Sequence, residues 1–296
     1  MSQYIQCVTQ PPSATLQGVG VDQRLFAAKV SLLVIDSQAL KCHLMPLPDI
    51  RNICVVLVST RNPLNIGAAA RAMSNFGIRN LRLVNPYEPG FREARSAVGA
   101  AATLQDAGIF STLAEAIADC VLVIGTTGGR DRNLDNTLRR LQDAAPLVEQ
   151  EAARGMVAVV FGSEKRGLSN DDLSYCHWTM NIPTAEDHVS MNLGQAVAVS
   201  LYEITRVPAS TELAPSPESP ALTIGDSLAT SAESERLAAS LLQALGLSGY
   251  VKPGTDAAVE DRVRRLVRRM RLTSGDADLV QGMVKQILWK LQKENG

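Results

Sequence analysis

Glycine and small polar residues cluster at four places in the chain, each directly after a run of apolar residues. These clusters are residues 59–67, 125–130, 162–169 and 183–192. If the apolar runs are parallel strands, all four clusters lie at the carboxyl edge of one sheet, where open α/β sheets bind their ligands. The clusters therefore indicate a ligand site, although turns between strands and helices also need glycine for their own geometry.

Several familiar chemistries are excluded by the same residues. Gly162 and Gly167 have the spacing of a phosphate-binding loop, but Leu168 stands where the phosphate-binding lysine is required. No G-x-G-x-x-G follows the first apolar run, and nothing around the three histidines suggests a Ser–His–Asp triad. His177 beside Cys176 is more typical of packing than of a metal pair, so we expect no metal site.

Five short apolar runs predict the strands that position these clusters. The first is apolar throughout, as in a strand covered on both faces, and helix-forming stretches separate the runs. This alternation predicts an α/β fold with a parallel sheet. The predicted strands are residues 53–58, 81–84, 121–124, 157–161 and 178–182.

Three helices in this region have recognisable ends. The first is expected to begin near Asn65, a good N-cap, and to end at Gly77. The second opens at residues 169–172 with a capping-box pattern. The third covers residues 192–206 and places apolar side chains on one face at helical spacing.

Three segments carry a family resemblance. Residues 65–71 (NIGAAAR), 161–168 (FGSEKRGL) and 190–197 (SMNLGQAV) resemble, in order and spacing, the three motifs of the SpoU (TrmH-type) branch of the SPOUT methyltransferases. The resemblance covers about residues 51–206. It extends into the tail, where residues 241–251 and an arginine-rich helix are similar to the C-terminal extension of tRNA ribose methyltransferases of this family.

The resemblance implies a parallel-sheet SPOUT fold with a C-terminal trefoil knot, an exception to the rule against threaded chains. It also implies that S-adenosylmethionine is the cofactor and that a homodimer completes the site. Glycines there let the backbone approach the cofactor closely. The residues that the resemblance assigns to the cofactor are Thr126, Thr127, Gly128, Gly162, Ile182, Val189, Ser190 and Met191.

The implied reaction is methyl transfer to a ribose 2′-hydroxyl of tRNA, at the pyrimidine in position 32 of the anticodon loop. Arg71 is expected to grip the adjacent phosphate and stabilise the developing alkoxide; a guanidinium holds its proton too tightly to act as the base. The alternatives are a ribosomal RNA substrate or an RNA-binding protein without catalysis. The implied catalytic residues are Arg71, Asn65, Glu164, Ser190 and Asn192.

Each of these residues also has a plainer interpretation. Arg71 could form an exposed salt bridge on its helix, and Glu164 could be a turn carboxylate that ties down its loop. Ser190 and Asn192 could simply cap the last helix of the domain.

The chain divides into four regions by composition and hydrophobic pattern. Residues 1–50 have no assigned role, and residues 51–206 form the methyltransferase domain. Residues 207–230, rich in proline and serine, are predicted to be a flexible linker. Residues 231–296 are predicted to be a helical module that binds RNA and supports the dimer. We expect the methyltransferase domain to fold without this tail.

The tail is locally basic, with a net charge of +3 in a chain of net charge −1. Val263, Leu266, Val267 and Met270 are expected to form the buried face of its arginine-rich helix. The arginines on the other face could be merely solvated, but phosphate contacts are the better interpretation. The candidate RNA-binding residues are Arg262, Arg265, Arg268 and Arg269. A further helix from Asp276 is expected to bury Leu279, Val280, Met283, Ile287 and Leu291.

Composition places further limits on the protein. The chain has 296 residues, enough for about two domains. Its five cysteines include no C-x-x-C pair, so reduced thiols are expected rather than zinc or disulfides. The apolar runs are too short to span a bilayer, and the run of six residues after Lys29, five of them apolar, is too short for a signal peptide. We therefore expect a cytoplasmic protein without membrane contact.

Overall fold

A parallel sheet forms the centre of the computed structural model, which describes residues 50–86, 97, 99–128, 137–185, 190–206, 227–252 and 254–295. Within these residues the sheet has seven strands in the order β3-β2-β1-β6-β4-β7-β5, and every neighbouring pair is parallel. The strands are β1 (Ile53–Val58), β2 (Asn80–Val84), β3 (Gly108–Phe110), β4 (Cys120–Thr126), β5 (Leu138–Arg140), β6 (Met156–Phe161) and β7 (Trp178–Asn181).

The parallel α/β architecture predicted from the alternating pattern is confirmed. β1 is buried at every position, because apolar clusters cover both faces of the sheet. The sequence prediction missed β3 and β5, because each has only three residues and the apolar stretch in them is two residues at most.

Helices connect the strands and cover the sheet. They are α1 (Pro63–Asn75), α2 (Ala101–Gln105), α3 (Leu113–Ala116), α4 (Leu141–Ala152), α5 (Asn170–Ser174) and α6 (Leu193–Thr205), preceded by a single 3-10 turn at Ile50–Asn52. Three longer helices follow, α7 (Ser231–Leu247), α8 (Asp256–Met270) and α9 (Ser274–Asn295).

The start of α1 differs from the sequence prediction. Asn62, not Asn65, is the N-cap, and its side chain accepts a hydrogen bond from the Leu64 amide over 2.9 Å. Pro63 then occupies the first helical position, where its missing amide hydrogen costs nothing. Asn65 therefore lies within the first turn, and its side chain is available for contacts outside the helix.

The other predicted helix ends are confirmed. Gly77 follows α1 with φ of +74°, the left-handed conformation that glycine adopts without strain. Ser169 and Asp172 form a reciprocal capping box at α5. Asn192 caps α6 by accepting a hydrogen bond from the Gly194 amide over 2.9 Å.

Helices α7, α8 and α9 share a small apolar core of their own and also pack against the sheet domain. That core consists of Leu237, Ala238, Val263, Val267, Val284 and Leu288. The amide of Ala232 donates to the carbonyl oxygen of Ala118, and Leu228 pairs with Thr273 in an isolated bridge. The region predicted as a linker therefore ends in packed residues: Leu228 and Ala229 are buried.

The buried face of α8 differs from the expected apolar face. Val263 and Val267 are buried as expected, but Leu266 and Met270 are about half exposed. Arg264 and Arg268 take their places, with 3% and 1% of their surface exposed. Hydrogen-bonding partners in the sheet domain make this burial possible, since a buried cation must be paired.

The expected face of α9 is wrong in part: Val280 packs partly buried against the core of the tail helices, but three of the other residues do not. The helix buries Ala277, Val284 and Leu288, whereas Leu279, Met283 and Ile287 are more than half exposed. The helix is turned about its axis relative to the face with the larger apolar side chains. In the part of the chain that the structure describes, no helix is both long and apolar enough to cross a membrane.

Candidate active site

A cavity of about 580 Å³ opens at the carboxyl edge of the sheet. Its wall comes from the ends of β4, β6 and β7, the turn after β6, and the segment that leads into α6. The polar clusters that follow three of the predicted strands therefore meet at one place, as expected for the edge of an open α/β sheet.

The described residues assigned to a cofactor by resemblance all line this cavity. Val189 lies outside the described residues. Sequence reasoning did not single out ten further lining residues, although all of them except Met180 lie within the motifs or the polar clusters described above. The seven lining residues predicted for the cofactor are Thr126, Thr127, Gly128, Gly162, Ile182, Ser190 and Met191; the ten missed ones are Phe161, Ser163, Lys165, Arg166, Gly167, Leu168, Met180, Thr184, Leu193 and Ala196.

Three side chains from the three motifs form one hydrogen-bonded chain at the mouth of the cavity. Asn65 donates from Nδ2 to Glu164 Oε1 over 2.8 Å. Asn192 donates from Nδ2 to Asn65 Oδ1 over 3.2 Å, and its own Oδ1 caps α6. Each amide is thus held at both ends, which fixes its orientation.

Glu164 joins two loops. Besides Asn65, it accepts from the backbone amides of Arg61 and Asn62, each over 3.4 Å. Partial burial acts to raise the pKa of the Glu164 carboxyl, but the hydrogen bonds from Asn65 and the backbone amides outweigh it, so the pKa is lowered. Glu164 is therefore a carboxylate at neutral pH. It ties down its loop, as in the plainer of the two interpretations of this residue given above.

The turn that carries Glu164 requires glycine at both ends. A Cβ on Gly162 would lie 2.0 Å from the carbonyl carbon of Gly167, closer than any real contact. Gly167 has φ of +65° and donates its amide hydrogen to the Ser163 carbonyl oxygen over 2.8 Å. The two glycines therefore close a tight turn whose tip is Glu164-Lys165-Arg166.

Packing behind the turn involves α5. A Cβ on Gly125 would lie within 3.2 Å of the side chains of Cys176, Leu173 and Leu168. Only glycine lets β4 approach α5 this closely, immediately before the cavity residues Thr126–Gly128. Burial raises the pKa of the Cys176 thiol to about 12, so this thiol is a packing group.

Of the five catalytic candidates, four line the cavity and one does not. Asn65, Glu164, Ser190 and Asn192 are part of its wall. Arg71 is exposed on α1, six residues after Asn65, and lies outside the wall. Its part in catalysis stays a prediction.

The four arginines predicted to bind RNA lie in different environments. Arg262 and Arg269 are exposed on α8. Arg265 is largely buried and donates to the carbonyl oxygen of Asn170 over 3.3 Å.

The prediction for Arg268 requires correction. Its side chain is buried and donates to the Tyr175 carbonyl oxygen and to Ser231 Oγ, and it forms an ion pair with Glu235. The guanidinium therefore points into the protein rather than toward a phosphate.

His177 is packed as the sequence suggested. Its Nδ1 accepts a hydrogen bond from the Val123 amide over 3.0 Å, so the neutral ring is an acceptor. Burial, reinforced by the charges of Arg271 and Arg268, holds the pKa of His177 well below its usual range. Among the described residues, no group of three or more His, Cys, Asp or Glu side chains could hold a metal ion.

Comparisons with known proteins agree with this geometry. The model of the SpoU rRNA Methylase family matches residues 52–202. The chain is 34% identical over 244 residues to the tRNA (cytidine/uridine-2′-O-)-methyltransferase TrmJ of Cronobacter sakazakii, which covers 80% of this chain and 96% of that protein. It is 33% identical to the Yersinia enterocolitica protein of the same name, over 80% and 92% of the two chains.

A solved structure is similar over the same extent. The crystal structure of TrmJ from Z. mobilis ZM4 superposes with a TM-score of 0.69 at 29% identity, over 79% of this chain and 98% of that one. A putative methylase family protein from Neisseria gonorrhoeae superposes with a TM-score of 0.54 at 32% identity, over 66% and 97%. The chain belongs to the SpoU methylase family.

Proposed function

We propose that this protein transfers a methyl group from S-adenosylmethionine to a ribose 2′-hydroxyl of tRNA, at the pyrimidine in position 32 of the anticodon loop. The observation that carries the proposal is the chain Glu164–Asn65–Asn192, which joins the three motifs at one cavity. Similarity to proteins named as tRNA (cytidine/uridine-2′-O-)-methyltransferases supports tRNA as the substrate.

The cavity suits the proposed cofactor. Its volume of about 580 Å³ lies in the range of small-molecule sites. Apolar side chains, among them Met180, Ile182 and Leu193, line it together with Thr126, Thr127 and Ser190. Gly128, which lines the cavity, has no side chain to cover its backbone groups. When bound, S-adenosylmethionine supplies an electrophilic methyl group.

The chain's own residues orient the nucleophile. The locked amides of Asn65 and Asn192 present fixed dipoles where the ribose enters, and positioning of this kind contributes several kcal/mol to catalysis. Glu164 holds Asn65 and the loop after β1 in place. Ser190 lies on the same wall, where its hydroxyl can hydrogen-bond to the cofactor or the ribose.

Arg71 is assigned to the phosphate next to the target ribose. Its forked guanidinium matches a phosphate and stabilises the alkoxide that develops as the proton leaves. Because Arg71 lies on the exposed face of α1 outside the cavity wall, RNA must pass over this face.

The assembly and location are further parts of the proposal. We expect a homodimer formed through the region of α6, where the exposed Tyr202 and Val199 offer apolar surface. We expect a trefoil knot in the C-terminal part of the sheet domain, in keeping with β7 lying between β4 and β5. A tRNA substrate agrees with a cytoplasmic location.

One experiment tests the reaction and its substrate. The purified chain is incubated with methyl-labelled S-adenosylmethionine and, separately, bulk tRNA and ribosomal RNA, and the methylated nucleotide is mapped. Label at the 2′-hydroxyl of nucleotide 32 in tRNA is the expected result. Label only in ribosomal RNA would identify a different substrate, and binding of tRNA without transfer would identify an RNA-binding protein without catalysis.

A further inference from the structure

A second, larger cleft lies beside the cofactor cavity. It is open, has a volume of about 1440 Å³, and exceeds the range of sites that enclose one small molecule. The loop after β1 and the start of α5 form its sides. The turn Ser163–Leu168 separates it from the cofactor cavity, since residues of this turn line both.

The charged groups of the cleft favour an anionic occupant. Arg61, Lys165 and Arg166 line it and are exposed. Its two carboxylates, Glu164 and Asp172, already accept hydrogen bonds within the protein, Glu164 from Asn65 and Asp172 from Ser169. The lining of the cleft thus carries three cations against two carboxylates, and both carboxylates are held toward donors of the protein.

The backbone that carries these cations is held in place. Lys165 and Arg166 lie at the tip of the turn closed by the Ser163–Gly167 bridge. The Arg61 amide donates to Glu164 on the same turn, which keeps the two basic segments side by side. A rigid basic rim next to Asn65 is suited to a ligand whose charges have fixed spacing.

The cleft also leads toward the tail helices. Asn170, on its far side, accepts a hydrogen bond from Arg265 of α8. Arg262 and Arg269, one helical turn before and one after Arg265, are exposed on the same helix. A polyanion that lies in the cleft can therefore extend from the mouth of the cofactor cavity to α8.

We infer that this cleft binds the RNA strand next to the target ribose, with Arg61, Lys165 and Arg166 contacting its phosphates. The inference rests on the proposed function and adds a backbone-binding subsite to it. Phosphate contacts fix the register of a nucleic acid on a protein without reading its sequence. The subsite therefore positions the ribose, while the base is selected elsewhere.

The test measures tRNA binding by the full chain at salt concentrations from 50 to 200 mM. The variants are Arg61→Gln and the double variant Lys165→Gln with Arg166→Gln. The control is Arg79→Gln, an exposed arginine just before β2 and therefore at the opposite edge of the sheet. All variants remove positive charge, but only the first two alter the cleft.

Each lost phosphate contact should weaken binding and reduce the salt slope, log K against log salt, by about 0.7–0.9. We expect the salt slope to change by the amount of one lost contact for Arg61→Gln, by that of two for the double variant, and not at all for Arg79→Gln. Since Arg61 lines the cleft but not the cofactor cavity, Arg61→Gln should bind S-adenosylmethionine as the unaltered chain does.

Two outcomes separate this inference from the proposed function. If the unaltered chain methylates tRNA normally but all variants have equal salt slopes, phosphate binding in the cleft is refuted and the proposed function is not. Failure of the unaltered chain to methylate tRNA would count against the proposed function and against the inference that depends on it.

Discussion

Arg268 donates a hydrogen bond from Nε to the carbonyl oxygen of Tyr175 over 2.7 Å, with 1% of the arginine exposed. Beside it, the guanidinium carbon of Arg264 lies 4.1 Å from the centre of the Tyr175 ring, a cation–π arrangement. Arg264 also donates to Ser174 Oγ over 2.8 Å. Two buried arginines of α8 thus hold the end of α5, the helix that packs behind the cavity proposed to bind the cofactor.

This contact leads to a prediction about stability. Arg268→Met removes the hydrogen bonds to Tyr175 and Ser231 and the ion pair with Glu235. Glu235 keeps its other ion pair, with Arg264. Breaking a buried ion pair costs roughly 3–5 kcal/mol, and we expect about 3 kcal/mol here because Glu235 keeps one partner. Urea unfolding measures the loss.

Arg269→Met is the matched control, since Arg269 is exposed on the same helix. It should change the free energy of unfolding by less than about 0.5 kcal/mol. Equal stability of both variants would show that the buried contacts of Arg268 contribute nothing.

Gly162→Ala should disrupt the cofactor cavity. The added methyl group would overlap the backbone at Gly167, so the turn that separates the cavity from the cleft must open. We expect the affinity for S-adenosylmethionine to fall at least tenfold, measured by calorimetry. Gly282→Ala is the control: it lies inside α9 with nothing within 4 Å, and should stabilise the protein by about 0.5–1 kcal/mol. Full cofactor affinity in Gly162→Ala would refute the role of this turn.

His177 should make stability depend on pH. The pKa of His177 is lowered in the folded protein, whereas in the unfolded chain it has its ordinary value of about 6.5. Below about pH 6.5 the unfolded chain therefore binds the proton more readily than the folded protein does. The stabilisation is present above that pH and is lost as the pH falls, at up to about 1.4 kcal/mol per pH unit.

Urea unfolding between pH 5 and 8 measures this dependence. In His177→Asn an amide oxygen replaces Nδ1 as the acceptor for the Val123 amide, and the slope should flatten. Parallel pH profiles for the two proteins would contradict the assignment.

Arg71→Ala should lower turnover of tRNA by at least about 100-fold, the typical loss when one charge-stabilising donor is removed. Affinity for S-adenosylmethionine should stay within a few-fold, because Arg71 lies outside the cavity wall. Arg71→Lys should also be poor, since an ammonium group lacks the forked geometry. Arg79→Ala serves as the control, and near-normal turnover in Arg71→Ala would contradict the proposed role.

Much of the site could be predicted from sequence because it depends on local patterns. Glycines and polar residues after apolar runs locate the carboxyl edge of a parallel sheet, and the motifs select Asn65, Glu164 and Asn192. Which of these touch each other could not be predicted. Asn65 reaches Glu164 from the first turn of α1, which is capped by Asn62 rather than by Asn65, and the order of the strands brings these two residues, 99 positions apart, together.

For the tail, amphipathic helices in residues 231–296 could be predicted from sequence, since the apolar side chains recur at helical spacing. Which face each helix buries depends on its neighbours in the folded protein and could not be predicted from this spacing. The usual rule places the larger apolar residues inside, yet α8 buries Arg264 and Arg268 and exposes Leu266 and Met270. The reason is that a buried charge depends on its partners, and Tyr175, Ser174 and Glu235 are brought to these arginines by other parts of the fold.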